Sequence, residues 1–142
     1  LTGCKEGAKR EIPKELERER VTSPNGQLDA VMIREDGGGA AGGWEWYVYI
    51  VAKGSPVVTP ISRTIFNAGT LTGEKLSWNQ EHLLEIHYEI AYINHFGNIW
   101  GSSEIHDAGG AGKGEYLVEI RLVPSSADFS LLTRDGEFKP KN

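Results

Sequence analysis

The sequence predicts an all-β domain. It is mostly antiparallel, a β-meander of six to seven strands closed as a sandwich or a partial barrel, preceded by a short charged N-terminal tether or helix. Three observations predict it. The stretch 83–96 (LLEIHYEIAYINHF) places Leu84, Ile86, Tyr88, Ile90, Tyr92 and Phe96 on one parity and Glu85, His87, Glu89 and His95 on the other. Successive strand side chains point to opposite faces, so this pattern writes one apolar and one polar face. Residues 115–123 (EYLVEIRLV) alternate in the same way, with Tyr116, Val118, Ile120 and Leu122 inward. Residues 44–51 (WEWYVYIV) are apolar on both parities, which marks a central strand covered on both sides.

The stretch 83–96 is long for one strand, since strands usually run ~5–6 residues. A bulge or bend is therefore expected near 89–91. The remaining expected strands are 28–35, 62–67 and 76–78. Ser23-Pro24-Asn25-Gly26 is a turn with a mechanism: Pro presets φ and Asn-Gly accepts positive φ. Residues 76–88 read as a hairpin with a polar connection at 79–82. The stretches 36–43 and 102–114 are glycine-rich loops, and 125–132 can supply one helical turn against a sheet edge.

At 142 residues the chain is most simply one domain, here 21–142 after a tether of 1–20. Lys plus Arg is 15 and Asp plus Glu is 20, so the net charge is −5. That balance is not built to neutralise phosphates, and no nucleic-acid partner is expected. No run approaches the ~18 apolar residues of a membrane-spanning helix. Residues 5–20 are dense in charge of both signs and read as a solvated tether; the alternative is a short helix from Pro13, with Ile12 and Leu16 docking that turn on the domain.

The single cysteine lies in Leu1-Thr2-Gly3-Cys4. This tetrad resembles the lipobox of bacterial lipoproteins: Leu, a small residue, Gly or Ala, then Cys. The resemblance implies a signal peptide upstream, cleavage before Cys4, and a diacylglycerol and fatty acyl groups such as palmitate on that residue. Several acyl chains make a lasting anchor where one is marginal. In the Gram-negative sorting rule, Lys5 in place of Asp implies the outer membrane, facing the periplasm. In a Gram-positive organism the same box implies the outer face of the cell membrane. The Ser-Pro-Asn-Gly turn and following strand also resemble the opening of propeller blades of the TolB kind, with Asn25 in place of Asp. A propeller needs several blades of ~40 residues, more than this chain holds, so the likeness is local.

Candidate chemistry is sparse. Glu85, His87 and Glu89 share one strand face at a spacing of ~6.8 Å, which can offer two metal ligands; the solvated face of a strand opposite Arg121 is the preferred account. His95, Glu104, His106 and Asp107 flank one loop and could form a metal or acid–base site. The run GGAGKG at 109–114 departs from a phosphate-binding loop and precedes a strand rather than a helix. No G-x-S-x-G elbow occurs. Four tryptophans remain. Trp44, Trp46 and Trp100, with His95 and His106, are the candidate ligand or partner surface, because aromatics beside glycine loops serve as contact anchors. The expected function is a non-enzymatic, lipid-anchored envelope module without a cofactor, whose partners are the membrane, through the lipid on Cys4, and an envelope protein or glycan. The alternatives are a small hydrolase using His95, Glu104, His106 and Asp107, and a structural subunit of an envelope assembly.

Overall fold

The structure is a computed structural model and describes residues 8–37, 43–105 and 115–125. Eleven strands occur among them: β1 Arg10–Glu11, β2 Glu17–Thr22, β3 Leu28–Asp36, β4 Trp44–Ala52, β5 Val58–Thr59, β6 Phe66–Thr72, β7 Lys75–Gln80, β8 Leu83–Tyr88, β9 Ile90–Phe96, β10 Ile99–Ser102 and β11 Tyr116–Pro124. They form a five-stranded sheet, β2-β3-β4-β6-β9, a four-stranded sheet, β10-β11-β8-β7, and the small pair β1-β5. The all-β, mostly antiparallel expectation holds, with more strands than the six or seven foreseen and no closed barrel. The larger sheets pack face to face around Met32, Trp46, Val48, Phe66, Leu84, Ile86, Tyr116 and Val118, among others.

β4 lies at the centre of the five-stranded sheet, flanked by β3 and β6, as its two apolar faces require. Trp46, Val48 and Ile50 face the four-stranded sheet, while Tyr49 and Val51 face the opposite way with Val31 and Ile33 of β3. That second face is covered by Ile12, Leu16 and Val57. The tether expected over residues 5–20 is therefore corrected from Arg10 onward. β1 pairs with β5, Lys14–Leu16 make a 3₁₀ turn, and β2 runs antiparallel to β3. The alternative reading, in which Ile12 and Leu16 dock on the domain, is the one that fits, with a 3₁₀ turn in place of a helix and the charged neighbours left toward solvent. Ile12 is 4% exposed.

The stretch 83–96 is two strands in two sheets. It bends at Glu89, inside the window where a bend was expected, and passes from β8 in the smaller sheet to β9 in the larger one. Its hairpin partner does the same in reverse, from β6 through Gly73 to β7. Thr72 faces Ile90 and Lys75 faces His87 on either side of the corner. The Glu89 N–H donates to the Thr72 carbonyl at 2.8 Å. Gly73 has φ +66°, and a Cβ there would lie 2.6 Å from Cγ of Glu89. The inward parity does not persist through the bend. Ala91 and Ile93 pack on the core, whereas Tyr92 is 70% exposed.

The expected strand 62–67 begins only at Phe66 and runs on to Thr72. Pro60 and the Thr64 hydroxyl, which donates to the Val48 and Phe66 carbonyls, hold the preceding segment out of the ladder. β11 pairs with β8 as foreseen and brings Arg121 opposite Glu85, but the two strands run parallel. The expected helical turn at 125–132 lies, apart from Ser125, outside the described residues.

Two stability measurements check this account. Ile12→Ala is expected to cost about 2–4 kcal/mol in urea unfolding, the range for a truncated buried Ile; a value within ~0.5 kcal/mol of wild type is what a solvated tether predicts. Gly73→Ala is expected to cost about 1–2 kcal/mol, from forcing a side chain into positive φ against Glu89.

Candidate functional site

β6 pairs with β4 only from Trp46 to Val48. Beyond Val48 the chain between the two strands swings away, and the last residues of β4 lose their neighbour on that side. β10, the edge strand of the smaller sheet, stands across the gap. The result is an open cleft of about 960 Å³. Ile50 to Ala52, Pro56, Ile61 and Arg63 line one wall; Trp100 to Ile105 and Glu115 line the other, with Lys9 at the rim. This volume lies in the range of small-ligand sites, ~300–1,000 Å³. Trp100 and Ile105 pack partly on the core and supply an apolar floor. Ile61 is 64% exposed on the facing wall. The lining carries charges of both signs, the carboxylates Glu104 and Glu115 and the cations Arg63 and Lys9.

The wall is held in place from below. The Lys53-Gly54-Ser55 turn that begins it is tied to Asp29 of β3, whose carboxylate accepts from the Gly54 N–H at 2.9 Å. The same carboxylate accepts from Arg20 at 2.8 Å and from the Thr22 hydroxyl at 2.7 Å, and the Asp29 residue is 2% exposed. Burial pushes the Asp29 carboxyl up, but the Gly54 N–H, the Thr22 hydroxyl and Arg20 together outweigh it and hold it below the usual carboxylate range. Arg20 is in turn held cationic by Glu17, against the cost of burial, with help from Asp29. On the same face of the sheet, burial pushes the Tyr49 phenol up to about 12.

The residues foreseen as one surface are distributed over the domain. Trp44 and Trp46 lie at the start of β4, while the cleft with Trp100 is at the far end of that strand, ~20–26 Å from Trp44 and ~13–20 Å from Trp46 at ~3.3 Å per residue. Trp46 is buried in the core rather than exposed. Trp44 is 49% exposed, and the Arg34 guanidinium lies 4.0 Å from its ring centroid and 5.5 Å from that of Trp46. An internal cation thus occupies the aromatic faces at that end. His95 is exposed on β9, opposite Asn67, away from the cleft. His106, Asp107 and Cys4 lie outside the described residues.

The strand-face stripe separates. His87 Nε2 is 3.0 Å from Glu85, which also accepts from Asn79 at 3.3 Å. The Asn79 hydrogen bond first, and then His87, lower the Glu85 carboxyl. Glu89 points instead to the Gly73 corner. Among the described residues no group of three such side chains converges as metal ligands. A smaller depression of about 360 Å³ lies between Pro24 and the 79–82 turn, without an aromatic platform.

Sequence reasoning found Trp100 and Glu104 but missed Ile50, Ile61, Arg63 and Glu115. The available signal was the pair Pro56 and Pro60, which interrupts the segment after β4 and so withholds a neighbour strand. Comparison with protein-family models, characterised proteins and solved structures finds no match.

Asp29 gives a pH test. A carboxyl whose folded pKa is depressed adds stability above its unfolded value of ~3.9, and that stability is lost as pH falls through the lower folded value. Asp29→Asn is expected to cost about 2–4 kcal/mol at pH 7. It is also expected to flatten the fall in stability below pH 4, measured by denaturant titrations at pH 7, 5, 4 and 3.

Proposed function

We propose that this chain is a non-enzymatic binding module of the bacterial cell envelope, held at a membrane by lipid on Cys4, and that the Trp100 cleft is its recognition surface. The observation that carries the recognition part is the cleft itself: an indole floor with charges of both signs among its lining residues. Among the described residues, Arg63, Glu104 and Glu115 are without side-chain ion-pair partners, which leaves them free for a ligand. An apolar platform ringed by a few polar groups is the usual composition of a binding site. The anchoring part is supported by the lipobox-like tetrad.

Two arms of one experiment test the reading in cells. Membrane fractionation of the form expressed with its own upstream region is compared with Cys4→Ser; retention of the Ser variant in the membrane fraction overturns the lipid anchor. A photo-crosslinking amino acid at Ile61, on the cleft wall, is expected to give a discrete adduct that the same group at Tyr92, on β9, does not. Equal adducts at both positions, or none at Ile61, overturn the cleft.

A further inference from the structure

The cleft is bordered by strand edges whose main-chain groups have no ladder partner among the described residues. On β10 the hydrogen-bond phase is fixed by Ile120, whose N–H donates to the Asn98 carbonyl at 2.8 Å. Residues of an antiparallel pair alternate between those that exchange hydrogen bonds with the partner strand and those that do not. Trp100 opposite Val118 and Ser102 opposite Tyr116 therefore bond to β11, and the N–H and C=O of Ile99 and Gly101 point away from it. β10 is the outermost strand of its sheet, so no described strand meets them. Facing them, β4 has the same property. The Ile65 N–H donates to the Val48 carbonyl, and the Lys53 N–H donates to the Gln27 carbonyl. The even residues of β4 thus turn toward β6 and the odd ones toward β3. β6 stops pairing at Val48, so the main chain of Ile50, a residue only 3% exposed, turns into the cleft.

Buried main-chain donors and acceptors are almost always paired. Strand edges in soluble proteins are usually blunted by charged residues or Pro; β10 reads Ile-Trp-Gly-Ser and has neither. At Gly101 the face of the strand is filled by its neighbours at the start of β11, because a Cβ there would lie 2.8 Å from the Leu117 side chain and 3.2 Å from the Glu115 carboxylate.

We propose that the cleft takes an extended peptide segment of a partner protein, which adds as a strand along the free edge of β10. This rests on the reading of the cleft as the recognition surface and names its ligand class. Main-chain hydrogen bonds to Ile99 and Gly101 supply the register, and alternate side chains of the peptide contact the Trp100 floor. A lining that holds Glu104 and Glu115 as well as Arg63 and Lys9 fits a segment carrying charges of both signs. A glycan would use the indole and the carboxylates but has no call on a row of alternating main-chain N–H and C=O groups, which is why the peptide is favoured.

The test uses the full chain. A random ten-residue peptide library on phage is panned against the immobilised protein, and an enriched peptide is synthesised unmodified and N-methylated at alternate residues in each of the two phases. Strand addition is expected to show as loss of affinity by about tenfold or more in one phase and little change in the other. Amide hydrogen exchange of Ile99 and Gly101 is expected to slow on binding, while that of Trp100, already bonded to β11, is unchanged. Ile99→Pro, which removes one outward N–H at an edge, is expected to weaken binding by a similar factor. Equal affinity of the two N-methylated forms overturns the proposal, as does failure to enrich any peptide. Binding of chitohexaose with perturbation of Trp100, in place of peptide, overturns strand addition and leaves the binding-module reading standing. Absence of both peptide and saccharide binding removes the cleft reading as well.

Discussion

The five-stranded sheet is apolar on both faces, and most of the architecture follows from having to cover it twice. β3 contributes Leu28, Ala30 and Met32 to one side and Val31 and Ile33 to the other; β4 divides its residues likewise. One cover is a whole second sheet. The other is small: Ile12 and Leu16 from the N-terminal segment and Val57 from the connection after β4. Burying a large aliphatic side chain is worth ~1.5–3 kcal/mol, so these few residues matter in a fold whose net stability is expected at ~5–15 kcal/mol. The pairing of β1 with β5 joins the two pieces of this thin cover to each other.

The two larger sheets are also one continuous ribbon. β6 and β7, and β8 and β9 running back beside them, form a long hairpin bent at Gly73 and Glu89, so each sheet receives half of it. A bent hairpin fixes the relative placement of the layers through main-chain bonds as well as through packing. It also resets side-chain parity, which is why Tyr92 faces solvent although it shares parity with the buried Leu84 and Ile86.

Much of the fold was legible where a strand keeps one face buried along its length. β11 obeys its alternation, and β4 sits centrally because both its parities are apolar. The bend in 83–96 could be placed because the run is too long for one strand. What could not be read was where each half goes, since a change of sheet leaves no mark in a two-residue pattern. The folded N-terminal segment was legible only as an alternative: Ile12 and Leu16 could be noticed as a docking pair, but two apolar side chains among many charges do not outweigh a solvated tether until the surface they cover is known. The candidate site was legible only in part. Trp100 and Glu104 stand beside a glycine-rich stretch and could be noticed, whereas Ile50 and Arg63 enter the cleft only through the early departure of β6 from β4. Trp44 and Trp46, equally conspicuous as letters, are engaged by Arg34 at the other end of the same strand.

The docking of Ile12 and the placing of Lys9 at the cleft rim bear on where this domain can work. Were residues 5–20 a free leash, the cleft could range far from a bilayer and face any direction. With the chain committed to the fold from Arg10, only five peptide units separate Cys4 from Lys9, a reach of at most ~18 Å at ~3.6 Å per residue. A lipid on Cys4 would then keep the mouth of the cleft within a headgroup layer or two of the membrane. Its occupant would be selected by position before chemistry: a segment that itself lies close to the same surface, such as the juxtamembrane stretch of another anchored protein.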